Sequence, residues 1–445
     1  VARNGGVAHP RNKTIDIALN YIALLTLYLA TEIFVELGTK DADEKAIGVY
    51  AAYGALVYAT PLLGGFLADK VMGFRRAIIL GGVLMAIGHF VMAIENDNAL
   101  YLALGFLIMG NGFFKPNISS FVGDLYEEKD INRDAGFTIF YLGINLGAFF
   151  APLICGYLGH NYGWHYGFGL AGICMLFGLI QFIFGQKYLI GVGDYLGKSE
   201  KAEDRESLKR PLTKIEKDRV IVLIISFLMV IVFFGAFEQA GGLMNIYAMD
   251  YTDRMLLGWE VPASWFQAAN AFFIITLGTT VAGYWAKRKL KGKEASSLFK
   301  MIMGLVIMGT GFLFMTAATA QYQSTGSSAM YWLVLAYLFH TVGELSLSPV
   351  SLSFVTKLAP AKYASLMMGL YFATTGFGNK LAGLLGESAS QFGEYKVFTG
   401  IAIFCILFGI LIRLFFKKLK ALTHGAEDNE RDLKDVETLP VNEVH

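Results

Sequence analysis

The sequence predicts an all-α membrane protein with twelve transmembrane helices in two groups of six. Of its 445 residues, 55% are hydrophobic and only 16% are charged, and the mean hydropathy of +0.50 excludes an ordinary soluble domain. A helix needs about 20 apolar residues to cross a hydrocarbon core. Apolar runs of that length lie at 15–36, 47–68, 76–95, 99–123, 136–158 and 166–190, and then at 220–248, 264–286, 298–320, 329–356, 363–388 and 396–416.

A polar segment between the two groups sets the expected domain boundaries. We expect an N-terminal six-helix bundle at 1–190, a cytoplasmic linker at 191–219, a C-terminal six-helix bundle at 220–420 and a disordered cytoplasmic tail at 421–445. The tail is rich in acids and poor in apolar residues, as disordered segments are. Two six-helix bundles joined by a basic linker are typical of the major facilitator fold, which binds its substrate near the bilayer midplane between the halves.

Basic residues are concentrated in alternate loops. By the positive-inside rule these loops lie in the cytoplasm, and both termini are predicted to lie there too. The loops after the second, fourth, eighth and twelfth spans carry Lys70, Arg75, Arg76, Lys129, Arg133, Lys287, Arg288, Lys289, Lys291, Lys293, Lys417, Lys418 and Lys420.

One cation lies inside an apolar span. Lys115 belongs to the stretch Gly-Asn-Gly-Phe-Phe-Lys-Pro-Asn at 110–117, and a lysine near the bilayer centre costs roughly 2.5–3.5 kcal/mol on insertion scales. It should therefore face a bundle interior or a water-filled cavity and have a partner. Glu238 in the seventh span and Glu344 in the tenth are the candidate partners. A buried pair of this kind is better evidence for a switch than for stability.

The loop that closes the second span carries a second charged motif. Gly64 and Gly65, at the start of the segment 64–76, permit close helix packing. Asp69, followed by Arg75 and Arg76 after a tight turn, can form a charge lock that opens and closes at the cytoplasmic gate. The alternative is a surface loop that only caps the helices. The motif resembles the signature loop of major facilitator transporters.

A set of further motifs carries a closer resemblance. The fifth span reads Phe-Thr-Ile-Phe-Tyr-Leu-Gly-Ile-Asn-Leu-Gly-Ala-Phe at 137–149, with one face of small residues and one buried asparagine. With the motifs at 64–76, 110–117, 237–241, 265–270 and 343–349, the chain resembles the proton-coupled oligopeptide transporter (POT/PTR) family from about 23 to 413.

The resemblance implies a symporter in a bacterial inner membrane that imports di- and tripeptides by alternating access. Protons would be the coupling ion, with no other cofactor, no metal and no catalytic residues. The implied partners are peptides, protons and the lipid bilayer, with no nucleic acid and no protein partner.

The resemblance also implies roles for single residues. Lys115 would hold the peptide carboxylate and link it to the proton, and Glu344 would meet the peptide amino group, so that the two charges match a zwitterion. Asn145 and Asn270 would bond the peptide backbone, Tyr58 would line the pocket, and Glu238 would serve proton coupling and outer gating. The alternative for these residues is a role in helix packing alone, and it has more weight for Tyr58, Asn145 and Asn270 than for Lys115 and Glu344.

Two features stand apart from these roles. His340 lies four residues before Glu344 on one helix face; we expect a core histidine with satisfied hydrogen bonds, and a proton relay is the alternative. The first span lacks the glutamates and arginines that the family usually carries there. Either Asp16 substitutes in a rewired coupling network, or the residues before Ala23 are not the native segment.

Other functions are open at this point. The same scaffold can carry another solute, such as nitrate or a drug-like anion, and Glu344 would then be dispensable because nitrate has no amino group. A membrane nutrient sensor that binds without transport is a further alternative. An enzyme is not expected, because the sequence contains no nucleophile elbow, metal cluster or nucleotide loop.

Overall fold

The computed structural model describes residues 22–34, 39–94, 96–124, 133–188, 211–360 and 364–426. These residues are almost entirely helical. The main helices are α1 (Ile22–Tyr28), α2 (Thr39–Leu67), α3 (Gly73–Met92), α4 (Asp97–Asp124), α5 (Arg133–Tyr162), α6 (Trp164–Gly185), α7 (Lys214–Phe237), α8 (Phe266–Leu290), α9 (Ser297–Thr325), α10 (Met330–Leu358), α11 (Ala364–Glu387) and α12 (Glu394–Ala421).

Short elements connect these helices. A π-helical turn follows α1 and another follows α2, at Leu29–Ile33 and Ala68–Met72. The described residues also form four short strands, β1 (Thr252–Asp253), β2 (Met255–Leu256), β3 (Trp259–Glu260) and β4 (Ser328–Ala329). β1 pairs in parallel with β4, and β2 pairs antiparallel with β3. The remaining elements are 3-10 turns at Gln186–Tyr188, Glu238–Ala240 and Ala263–Trp265, and helical segments at Leu243–Asp250 and Ala389–Phe392.

The described helices confirm a helical, multi-pass membrane protein. Nine helical segments among the described residues are long and apolar enough to cross a membrane. The count of twelve spans and the cytoplasmic position of the termini stay predictions. Most of the linker, most of the tail and the candidate acid Asp16 lie outside the described residues.

The start of α7 lies inside the segment that the sequence predicts as linker. Thr213 caps the helix, because its hydroxyl accepts a hydrogen bond from the backbone N–H of Glu216 at 3.2 Å. The Glu216 carboxylate in turn accepts from the backbone N–H of Thr213 at 2.8 Å. This reciprocal capping box satisfies two backbone donors at the helix start, so that the helix begins in polar sequence ahead of the apolar run.

The predicted seventh span is interrupted near its end. After α7, the 3-10 turn Glu238–Ala240 and the pair Gly241 and Gly242 break the helix before it resumes at Leu243. The break frees backbone carbonyls for other partners. The carbonyl of Gly241 accepts a hydrogen bond from Thr26 of α1 at 2.7 Å, and the carbonyl of Ala240 accepts from Gln267 and, at 3.3 Å, from Tyr337.

The first six helices pack on the last six along two seams. α2 packs on α11, and α5 packs on α8. Small residues allow the close approach of α2 and α11, since a Cβ atom at Gly383 would overlap that of Ala51. In the second seam, the indole N–H of Trp265 donates to the carbonyl of Leu153 at 3.2 Å.

Among the described residues, three hydrogen bonds join α1 and α2 to the second half on the side of the membrane where α2 begins, which is the predicted outer side. We call these three bonds the outer clasp. They run from Thr26 to the Gly241 carbonyl at 2.7 Å, from the Tyr50 hydroxyl to Glu238 at 3.0 Å, and from the Ser390 hydroxyl to Glu44 at 2.7 Å.

Candidate functional site

A cavity of about 290 Å³ lies between the two halves. Helices α2 and α5 supply its wall on one side, and α7, α8, α10 and α11 supply it on the other. Five of the residues singled out in the sequence line it: Tyr58, Asn145, Glu238, Asn270 and Glu344. The structure therefore brings together residues that are up to 286 positions apart in sequence (344 minus 58).

Glu344 forms one end of a polar network in this cavity. Its carboxylate accepts a hydrogen bond from the Asn270 side-chain amide at 2.8 Å. The same amide nitrogen donates to the hydroxyl of Thr341 at 3.1 Å. Asn270 thus orients Glu344 from a neighbouring helix, and the carboxylate keeps acceptor capacity for a ligand because it carries two oxygens.

Glu238 lies at the break that ends α7. Its carboxylate accepts a hydrogen bond from the Tyr50 hydroxyl of α2 at 3.0 Å. Lys115 is near enough for its charge to attract that carboxylate. The acid of the second half is therefore held by groups from the first half.

Lys115 lies directly behind the cavity wall. Its Nζ is 4.4 Å from the ring centroid of Tyr58, within the range of a cation–π contact, and Tyr58 itself lines the cavity. The sequence predicted that Lys115 would share the cavity with Glu344. In the structure the lysine contacts the ring of Tyr58 and attracts the carboxylate of Glu238.

The asparagines of the Lys115 motif have a packing role. Asn111 donates a hydrogen bond to the carbonyl of Val57 at 3.0 Å, and Asn117 donates to the carbonyl of Gly64 at 3.4 Å. Both bonds tie α4 to α2. They fix the register in which Lys115 lies against Tyr58.

Asn145 of α5 is also placed at the cavity, where it is only 5% exposed.

The gate motif lies elsewhere, at the end of α2 and the start of α3. There Arg75 is partly buried and Arg76 is exposed, whereas the side chain of Asp69 lies outside the described part of the chain. The proposed charge lock thus stays a prediction.

Several cavity residues were not predicted from the sequence. Tyr50, Gln267 and Asn379 line the cavity. Tyr50 and Gln267 hydrogen-bond to partners on other elements, whereas the Asn379 amide donates to the carbonyl of Thr375 within α11. A glutamine or asparagine inside an apolar span is itself a signal, because such a group must find a polar partner in hydrocarbon. Tyr50 gives no such signal, since tyrosines are common in apolar helices of this chain.

His340 corrects one expectation. It is buried, with 1% of its surface exposed, and it lines the cavity. Neither ring nitrogen has a hydrogen-bond partner among the residues that the structure describes. The prediction of a buried histidine is therefore confirmed, but the prediction that its hydrogen bonds are satisfied is wrong.

Two apolar helical halves around a charged central cavity define a membrane transporter. The chain matches the family model PTR2, described as the POT family, over residues 75–193 and 200–398. It therefore belongs to the POT family, and the resemblance inferred from its motifs is confirmed.

Individual relatives agree with this assignment. The chain is 34% identical to the peptide transporter YePEPT of Yersinia enterocolitica, over 82% of this chain and 83% of that protein. It is 29% identical to the di-/tripeptide transporter of Lactococcus lactis, over 85% and 87% of the two chains. A crystal structure of a peptide transporter POT in complex with sulfate matches with a TM-score of 0.85 at 30% identity, covering 95% and 97%. These relatives are transporters, not enzymes.

Proposed function

We propose that this protein is a proton-coupled symporter that imports di- and tripeptides across a bacterial inner membrane by alternating access of its two halves. The observation that carries the proposal is the cavity between the halves, with Glu344 and Asn270 on one side and Tyr58, backed by Lys115, on the other. A peptide zwitterion has an ammonium and a carboxylate several ångströms apart, and these two ends match that charge arrangement.

Relatives support the substrate class. The proteins from Yersinia enterocolitica and Lactococcus lactis are a peptide transporter and a di-/tripeptide transporter. The cavity volume of about 290 Å³ lies at the lower end of the range for small-molecule sites, which favours short peptides over long ones.

The driving force is sufficient for uphill uptake. One proton moving down about 100 mV releases about 2.3 kcal/mol, and one pH unit adds about 1.4 kcal/mol. Their sum supports accumulation of roughly several hundredfold, since about 1.4 kcal/mol corresponds to a factor of ten.

Uptake of labelled dialanine into proteoliposomes tests the proposal. We expect an acidic outside to stimulate uptake by the wild type, and Lys115→Ala to lose that stimulation because the cation behind Tyr58 is gone. The matched control is Lys357→Ala, which removes an exposed lysine at the end of α10. The proposal is contradicted if uptake does not depend on the pH gradient and Lys115→Ala takes up dialanine at the same rate as the wild type.

A further inference from the structure

His340 is the buried polar group of the cavity that the proposed function leaves without a task. It lines the cavity beside Glu344 and is 1% exposed. Its Nδ1 and Nε2 atoms have no hydrogen-bond partner in the described part of the chain. Leaving a buried polar group unsatisfied costs about 1–3 kcal/mol, so a partner is expected to occupy the space next to the ring.

Packing on α9 closes one side of the imidazole. The ring of Phe312 lies 4.5 Å from it, centroid to centroid. A Cβ atom at Gly311 would overlap the imidazole, so glycine at that position makes room for the ring. The Cδ2–Nε2 edge of the ring therefore faces α9, and the cavity that His340 lines is a space from which a polar partner can approach the imidazole.

The charged side chains that line the cavity with His340 are acidic, and the cation Lys115 lies across the cavity against Tyr58. Glu344 follows His340 by one helical turn, and Glu238 lines the same cavity. A neutral imidazole offers one acceptor nitrogen and one donor N–H. A ligand group that neutralises Glu344 and also donates to the acceptor nitrogen is a cation with at least two N–H donors, and a primary ammonium has three.

We propose that His340 helps hold the amino-terminal end of the bound peptide, its unprotonated nitrogen accepting a hydrogen bond from the α-ammonium that Glu344 neutralises. This inference rests on the proposed function, since it names a contact for the same substrate. It makes His340 a specificity-determining residue that favours ligands with a free amino group.

A pair of matched ligands tests the inference. Dialanine and N-propionylalanine differ by the amino group, and their Kd values can be measured by calorimetry on the purified full chain. In His340→Phe, which removes both nitrogens, we expect binding of dialanine to weaken by about five- to tenfold. The Kd of N-propionylalanine should stay within about twofold of wild type. His340→Gln keeps a donor and an acceptor and should restore most of the affinity.

Controls separate this contact from a packing effect. His89→Phe changes another histidine that is 1% exposed but lies on α3, away from the cavity lining, and should leave both Kd values unchanged. If His340→Phe does not fold, His340→Leu removes the nitrogens with a smaller side chain.

Three outcomes overturn the inference. His340→Phe or His340→Leu that binds dialanine as tightly as wild type shows that the nitrogens touch only water. An equal loss for both ligands shows a packing role. A wild type that binds neither ligand refutes the proposed function as well, whereas the first two results leave it standing.

Discussion

At the scale of the residue, Glu344 is the group that we expect to contact the substrate most directly, through its carboxylate. Its bond from Asn270 at 2.8 Å fixes one oxygen, and the cavity lies beside it. A hydrogen bond to a charged group contributes about 1.5–3 kcal/mol, and an ammonium ligand would contribute through such a bond.

We therefore expect Glu344→Gln to weaken dialanine binding by about 10- to 100-fold. The amide keeps the size of the side chain and an oxygen for Asn270, so that the lost charge accounts for the effect. Calorimetry on the purified variant gives the Kd. Glu294→Gln, the same substitution outside the cavity, serves as the control. An unchanged Kd for Glu344→Gln would instead support a solute without an amino group.

The residues of the site show where sequence reasoning ends. Lys115, Glu238 and Glu344 are visible in the sequence because a charge in hydrocarbon is costly and so stands out. Their pairing is not visible, since it depends on how α2, α4 and α7 meet. The contact of Lys115 with Tyr58 follows from the register that Asn111 and Asn117 impose between α4 and α2.

At the scale of the element, hydropathy predicts the long helices and misses their interruptions. The run 220–248 reads as one span, but Glu238–Ala240 is a 3-10 turn that ends α7. A window of about 20 residues averages over such a turn. The adjacent glycines Gly241 and Gly242 are a local signal of the helix break, but a hydropathy average over about 20 residues does not show it. Strand β1 pairs with β4, 76 residues away, by a contact that no local pattern encodes.

An ion pair joins the loop after α8 to the end of α12. Nζ of Lys420 lies 2.8 Å from Oε2 of Glu294. Partial burial raises the pKa of Glu294, but hydrogen bonds from Lys420 and Ser296 outweigh this effect and lower the pKa to about 2. A carboxylate with a lowered pKa stabilises the fold at neutral pH, and this contribution is lost as the pH falls from the unfolded value of about 4.5 towards 2.

Glu294→Gln should therefore lower the unfolding temperature in detergent slightly at pH 7. The two side chains are 28% and 38% exposed, so we expect a loss of only about 0.5 kcal/mol. The difference from wild type should stay constant between about pH 7 and 5.5 and shrink below about pH 4.5. Thermal unfolding at pH 7, 5.5 and 4 measures it. A difference that grows on acidification would contradict this assignment.

At the scale of the whole molecule, transport by alternating access requires α2 and α11 to separate on the predicted outer side. A Cβ atom built at Gly54 of α2 lies 3.5 Å from Cβ of Asn379 on α11. That separation matches a disulfide. A bond there would link the two halves covalently.

We expect oxidised Gly54→Cys/Asn379→Cys to lose dipeptide uptake and to recover it when a reductant is added. Both residues line the cavity, so the comparison is between the oxidised and reduced forms of the same double variant. Each single cysteine variant controls for oxidation of Cys155, Cys174 and Cys405. Undiminished uptake with the disulfide shown to be formed would mean that this seam does not open during transport.

The outer clasp also affects the population of the outward-open state. Opening the predicted outer side breaks all three of its hydrogen bonds, and each contributes about 1 kcal/mol net. Together the three bonds favour the closed form by about 3 kcal/mol, which is a factor of roughly a hundred. Protonation of Glu238 weakens the bond it accepts from Tyr50, because hydrogen bonds to a charged acceptor are about twice as strong as neutral ones. A proton arriving at this carboxyl would thus act as a ligand that raises the population of the form able to take up substrate.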